Sequence, residues 1–243
     1  MVECRRARED GWADGPVGIR DNIASVEERI QAACRRAGRA RSDVTLVAVS
    51  KTVEPERIRE ACQAGLRDFG ENRVQEAAAK RPALADLPVT WHLIGHLQSN
   101  KTQRARELFD WIHSVDSAHL AARLGAVSTP AARLPVLLQV NLGGEASKSG
   151  VPEDELLSLA QKASQFENLE VRGVMVIPPF SDDPEKSRPF FRRLRELAAE
   201  LQQRHLPKVV MRELSMGMSN DFEIAIEEGA TIVRVGTAIF GPR

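Results

Sequence analysis

This 243-residue chain has no tyrosine, and aromatic residues make up only 5% of it. No phenol is therefore available among these residues as acid, base or nucleophile. Cysteine is scarce: Cys4, Cys34 and Cys62 are the full set, with no Cys-x-x-Cys pair. An odd, scattered set reads as reduced thiols in a cytoplasmic protein. An excess charge of one sign is missing too, since Lys+Arg and Asp+Glu are 34 each, for a formal net charge of +0. No global field then draws the chain to nucleic acid or to an anionic membrane. No apolar run approaches the roughly 18 residues of a membrane span. The N-terminus lacks the charged-then-apolar layout of a signal peptide. No Gly-x-Gly-x-x-Gly follows the first strand, which weakens a dinucleotide-binding reading.

What is present is an alternation. Residues 1 to about 18 are polar and glycine-containing and read as a disordered or loosely attached tail, leaving 19–243 as a single domain. Ile19, Ile23, Val26, Ile30 and Ala33 fall at helical spacing up to Arg36, with Gly38 as a stop, so a helix precedes the first strand. That helix is expected either to cap one end of a barrel or to lie beside it. VTLVAVSK (44–51) is a near-continuous apolar run, the mark of a strand buried on both faces. Pro55 suits a first helical turn, and Gly65 ends that helix. Strands then follow at LRDFGEN, VTWHLIGH, DWIHSVDS, LPVLLQVNL, LEVRGVMVIP, KVVMREL and TIVRV, with helical stretches between them. Ser99 is a candidate cap for the polar helix SNKTQRARELF, and Ser117 or Asp116 for the next. GGEASKSG is long enough for a binding loop or lid, and Pro189 predicts an irregular start to the helix around it. Eight βα units in this length predict a closed (β/α)8 TIM barrel, with a doubly wound sheet as runner-up.

In such a barrel the C-terminal strand ends share one mouth, where the site forms. Those ends carry Lys51, Gly70-Glu71-Asn72, His92 to His96, Ser114, Asn141, Met175 to Pro178, Ser215-Met216-Gly217 and Arg234 to Thr237. A lysine at the end of a buried strand is either a snorkelling surface residue or an amine suited to Schiff-base chemistry. SMGMSN and VGTAIFG combine glycine with hydroxyl residues at the seventh and eighth strand ends, where many barrels hold a phosphate; the plain alternative is tight turns. Arg234 inside TIVRV needs an acceptor, a core carboxylate such as Glu213 or Glu71, or a ligand. Lysine, phosphate corner and arginine together suggest pyridoxal 5′-phosphate. An arginine beside the pyridine nitrogen would keep it unprotonated and make the ring a poorer electron sink. His92 and His96 straddle a strand end, so their spacing does not argue for a metal. His113 reads as a hydrogen-bonded core residue. A sugar-phosphate Schiff base on Lys51, as in class I aldolases, is a further reading compatible with a barrel.

LVAVSKT, FGENRVQE, WHLIGHLQSNK, IHSVDS and LSMGMSNDFEIAIEEGATIVRVGTAIFG, spread over residues 44–241, together resemble the pyridoxal phosphate homeostasis protein family. That family is similar to the N-terminal barrel of alanine racemase, the fold-type III class of cofactor proteins. The resemblance implies that Lys51 forms the internal aldimine and that Arg234 lies near the pyridine nitrogen. It implies that Ser215, Gly236 and Thr237, with Ser219, hold the phosphate, and that Asn72, His92 and Asn141 line the pocket. It implies a monomeric, cytoplasmic carrier or regulator of vitamin B6 that serves apo-enzymes, without an established reaction and without a metal. The alternative is a racemase-like enzyme, which would need an acid/base on each face of its substrate. Lys51 supplies one, no tyrosine supplies the other, and His92 or a cysteine is left as candidate. The family's tyrosine after Gly-Glu-Asn is Arg73 here.

Overall fold

The computed structural model describes residues 18–127, 133–144 and 149–242. The tail expected over residues 1–18 lies, but for Gly18, outside the described residues. Eight parallel strands close in sequence order into a barrel: β1 (Thr45–Val49), β2 (Asp68–Glu71), β3 (Thr90–Leu93), β4 (Trp111–Val115), β5 (Leu134–Val140), β6 (Leu169–Val176), β7 (Val209–Ser215) and β8 (Ile232–Val235). β8 returns to β1, with Thr45 beside Ile232 and Val47 beside Arg234. This is the TIM barrel that the alternation predicted, and the doubly wound sheet is set aside. Side chains alternate across each strand. Leu46, Ala48, Phe69, Leu93, Ile112 and Leu138 face the surrounding helices and join the large core, while Val47, Leu137, Met175 and Ile232 pack with Trp111 inside the ring.

The first helix, α1 (Ile19–Arg36), lies beside the barrel rather than across its end. Its apolar stripe is the one read from the sequence, with Ile19, Ile23, Val26, Ile30 and Ala33 all buried. Pro55 opens α2 (Pro55–Gln63), and α3 (Val74–Lys80) follows β2. Ser99 is not a cap: Ser99–Lys101 form a 3-10 turn, and α4 (Thr102–Leu108) starts after Lys101 without a side-chain cap. The Ser99 carbonyl instead accepts the Thr102 hydroxyl. Ser117 does cap α5 (Ala118–Gly125), accepting the Leu120 N–H. After α6 (Leu156–Ala163), the irregular start around Pro189 is a 3-10 turn, Pro184–Ser187, leading into α7 (Arg188–Gln202). α8 (Phe222–Glu227) is followed by one turn, α9 (Thr237–Phe240), which strand-and-helix periodicity did not reveal because four residues are too few to show a period.

α1 is tied to α8 by Arg29–Glu223 and Arg36–Glu227, each 2.6 Å. Hydrogen bonds from Arg188, and further from Arg36, hold the Glu227 carboxyl below its ordinary range against the opposing effect of burial. A carboxyl whose folded pKa is depressed contributes stability that is present above its unfolded pKa and lost as pH falls through the folded value. Glu227→Gln should therefore lower stability in urea unfolding near neutral pH, with the difference from the parent closing below about pH 4.

Candidate functional site

The turn after β1 is built around one amine. Lys51 is half-buried and lines a cavity of about 690 Å³ at the C-terminal mouth of the barrel. That volume lies within the range of small-molecule and cofactor sites. Among the described residues nothing pairs with the Lys51 ammonium. Its two chain neighbours, by contrast, are held tightly. The Ser50 carbonyl accepts from Lys80 Nζ at 2.8 Å, and the Thr52 N–H donates to Glu76 Oε2 at 3.0 Å. Thr52 sits at φ 59°, a left-handed conformation that β-branched residues seldom adopt. α3 thus braces both sides of Lys51 through Glu76 and Lys80.

Behind this turn lies a buried ion pair. Glu71 is fully buried, and its Oε1 accepts from Lys80 Nζ at 2.8 Å and from the Ser50 hydroxyl at 2.7 Å. Burial pushes the Glu71 carboxyl above its ordinary pKa, opposed by those two donors. Glu71 therefore does not serve Arg234, one of the two carboxylate pairings expected for that arginine. Glu213, the other, accepts the Thr231 hydroxyl.

Arg234 instead points its guanidinium at neutral oxygens. Nη1 donates to Ser215 Oγ at 2.5 Å and Nη2 to the Val176 carbonyl at 2.9 Å. The side chain is buried, and burial pushes its pKa down to about 10, with Asp221 acting in the opposite direction. It lines the same cavity as Lys51. So do Ser219, Gly236 and Thr237, where the Gly236 N–H donates to Ser219 Oγ at 3.3 Å. Asp221, also in the wall, is occupied: one oxygen accepts the Met218 N–H at 2.7 Å and the other the Ser187 hydroxyl at 2.8 Å. Gly217 makes the tight approach between the loop after β7 and α8 possible. It has φ 90°, and a Cβ there would lie 2.6 Å from Ala225 Cβ and 2.9 Å from Phe222 Cα.

Of the residues expected at the site, Lys51, Asn72, Ser219, Arg234, Gly236 and Thr237 meet in this one cavity. His92, Asn141 and Ser215 are not among its walls. His92 and Ser215 are buried inside the barrel, and Asn141 follows β5, its N–H bonded to the Val151 carbonyl. The histidine considered as a racemase's second acid/base thus does not line the cavity that holds Lys51, and Cys34 and Cys62 belong to the core between helices and barrel. Cys4 lies outside the described residues, as do residues 145–148 of the loop expected to bind or close. The described part of that loop contributes Ser149, whose carbonyl accepts from Gln139 Nε2.

Of the rim, Ile94, His96, Ile177 and Asn220 fall within the strand ends and the SMGMSN motif placed at the mouth from the sequence, whereas Phe180 and Ser181 were missed. Phe180 is 81% exposed, so no burial pattern could have flagged it. Asn220 donates to the Ser181 carbonyl across two loops that only the closed ring brings together.

A family model described as alanine racemase, N-terminal domain, matches residues 22–243. A protein named pyridoxal phosphate homeostasis protein in Pseudomonas aeruginosa is 50% identical over 227 residues, covering 93% of this chain and 96% of the relative. One of the same name in Aquifex aeolicus is 47% identical, covering 92% and 97%. The chain belongs to the pyridoxal phosphate homeostasis protein family. Among solved structures, PipY of Synechococcus elongatus with PLP bound superposes at TM-score 0.81 with 44% identity, covering 92% of this chain and 100% of that one. Alanine racemase from Corynebacterium glutamicum superposes at TM-score 0.66 with 19% identity over 62% of its own length, a likeness of fold. The family resemblance read from the motifs thus holds across the barrel.

The brace on Lys51 is testable by stability. Lys80→Met strips the cation from a fully buried carboxylate, which should cost about 3–5 kcal/mol in urea unfolding. Adding Glu71→Gln to Lys80→Met should return much of that loss, because the orphaned charge is then removed.

Proposed function

We propose that the chain binds pyridoxal 5′-phosphate in this cavity, as a Schiff base through Lys51 Nζ, and acts in cofactor homeostasis and delivery rather than as an enzyme. The observation that carries this reading is the meeting, in one cavity, of a half-buried lysine unpaired among the described residues, a buried arginine and a corner of hydroxyls and backbone N–H groups. The donor set fits the group. Lys51 is the primary amine that an aldehyde requires, and two cations offset phosphate charge. Ser219, Gly236 and Thr237 stand where strands seven and eight end, the customary phosphate corner of a barrel. PipY, which shares 44% of its residues with this chain, was solved with PLP bound, and the relatives bear the homeostasis name.

When bound, the cofactor supplies an aldehyde reactive toward amines and a pyridine ring able to accept electrons. Lys51 holds the group covalently and is itself held in place by α3. Arg234 offers N–H donors beside the ring nitrogen. A guanidinium does not give up its proton as a carboxylic acid does, so the ring nitrogen stays unprotonated and the electron sink stays weak. Ser219 and Thr237 bring hydroxyls and Gly236 its N–H to the phosphate. Asn72 lines the wall between Lys51 and Gly95. The working unit in this reading is the single barrel, a cytoplasmic monomer that passes the cofactor to apo-enzymes.

Protein incubated with pyridoxal 5′-phosphate and freed of excess should show visible absorbance that Lys51→Ala abolishes. After borohydride reduction, the added mass should sit on the peptide that contains Lys51. Wild-type protein without that absorbance would refute the reading. Turnover of D- or L-amino acids at ordinary enzyme rates, lost in Lys51→Ala, would replace it with the racemase-like one.

A further inference from the structure

Five polar side chains cross the barrel interior in one unbroken line. Arg234 Nη1 lies 2.5 Å from Ser215 Oγ, and Ser215 Oγ lies 3.0 Å from His113 Nδ1. His113 Nε2 lies 3.0 Å from His92 Nδ1, and His92 Nε2 lies 3.0 Å from Asp68 Oδ1. Arg234 is near the C-terminal end of β8 and lines the cavity, whereas Asp68 is the first residue of β2, at the opposite mouth, with its side chain 30% exposed. His113 and Ser215 are fully buried, and Trp111 stacks on His92 with ring centroids 6.0 Å apart.

The inventory of donors sets the direction of every bond. A guanidinium only donates, so Ser215 Oγ accepts from Arg234. An ionised carboxylate only accepts, so His92 Nε2 carries hydrogen toward Asp68. A neutral His92 then has a bare Nδ1, which must accept from His113 Nε2–H. A neutral His113 in turn has a bare Nδ1, which accepts the Ser215 hydroxyl hydrogen. Each contact is satisfied once, both imidazoles share one tautomer, and every donor points from Arg234 toward Asp68. Burial, then the neighbouring His92 and Arg234, pushes His113 well below its ordinary pKa, in keeping with a neutral ring. An extra proton on either histidine would reverse the Ser215–His113 bond and turn the serine hydrogen away.

We propose that Ser215, His113 and His92 are positioning residues for Arg234: a directed hydrogen-bond chain anchored on Asp68 at the far mouth aims the guanidinium at the ring nitrogen of bound pyridoxal 5′-phosphate. The proposal rests on the cofactor reading above. It also gives His92 and Ser215 a place other than lining the pocket or holding phosphate.

The first measurement needs no cofactor. In full-length protein labelled with nitrogen-15 at histidine, His92 and His113 should each carry hydrogen on Nε2 and none on Nδ1, with coupling across the bond that joins them. Hydrogen on His113 Nδ1 would overturn the chain. Asp68→Asn removes the charged acceptor at a partly exposed position, so folding should survive. Both rings should then lose their single tautomer, and the Kd for pyridoxal 5′-phosphate should rise about tenfold, the scale of one hydrogen bond to a charged group. Asp68→Glu should restore both. Ser215→Ala should raise Kd at least as much while leaving the His92–Asp68 contact in place. Melting that shifts in Asp68→Asn without a change of tautomer, or tautomers that change while Kd stays within about twofold, would overturn the positioning role. Wild-type protein that takes up no cofactor would fail the underlying reading, a result distinct from normal uptake with an unchanged Kd in Asp68→Asn.

Discussion

A guanidinium inside a closed ring of strands is the constraint on which the rest of this molecule depends. Removing a charge from water is costly unless its donors find acceptors. Among the described residues Arg234 meets that demand without a carboxylate in contact, through Ser215 and the Val176 carbonyl. Its described hydrogen-bond partners are neutral, Asp221 acts on it only through space, and the guanidinium faces the cavity. An ion pair with Glu71 or Glu213 would have cancelled the charge that makes the cavity attractive to an anion. Those two carboxylates are engaged elsewhere, Glu71 by Lys80 and Glu213 by Thr231.

The second cation is handled differently. Lys51 is kept unpaired among the described residues, while the atoms on either side of it are fixed by Lys80 and Glu76. Holding the backbone and leaving the side chain unengaged orients an amine without neutralising it. The left-handed Thr52 is the local strain that this brace supports. Both devices depend on α3 packing behind the strand ends, so the helix that looks like an ordinary crossover also serves the site.

Fold likeness and family membership carry different weight here. The barrel superposes on alanine racemase at 19% identity, where it speaks for architecture alone. The homeostasis proteins match at 47–50% identity over nearly their whole length, so there the motifs agree as well as the shape. Within that frame the interior line from Arg234 to Asp68 links the cavity to the opposite mouth through groups that periodicity alone would class as core.

Much of the architecture was legible in the residues. Apolar runs separated by 3.6-period helices specify βα units, and eight of them in this length close a barrel whose strand ends share a mouth. Lys51, Asn72, Ser219, Arg234, Gly236 and Thr237 could be placed there because strand ends are readable. What the order of residues could not decide was which way each of those ends turned. Along a strand the facing alternates with every residue, so side chains of one face sit two apart, and a step of two from His92 to Ile94 separates the interior line from the cavity wall. His92 thus lies one layer below the cavity and joins His113 rather than Lys51, while Glu71, one residue past Gly70, faces outward and finds Lys80 rather than Arg234. Partners from distant strands become neighbours only once the ring is closed, and local pattern carries no record of that closure.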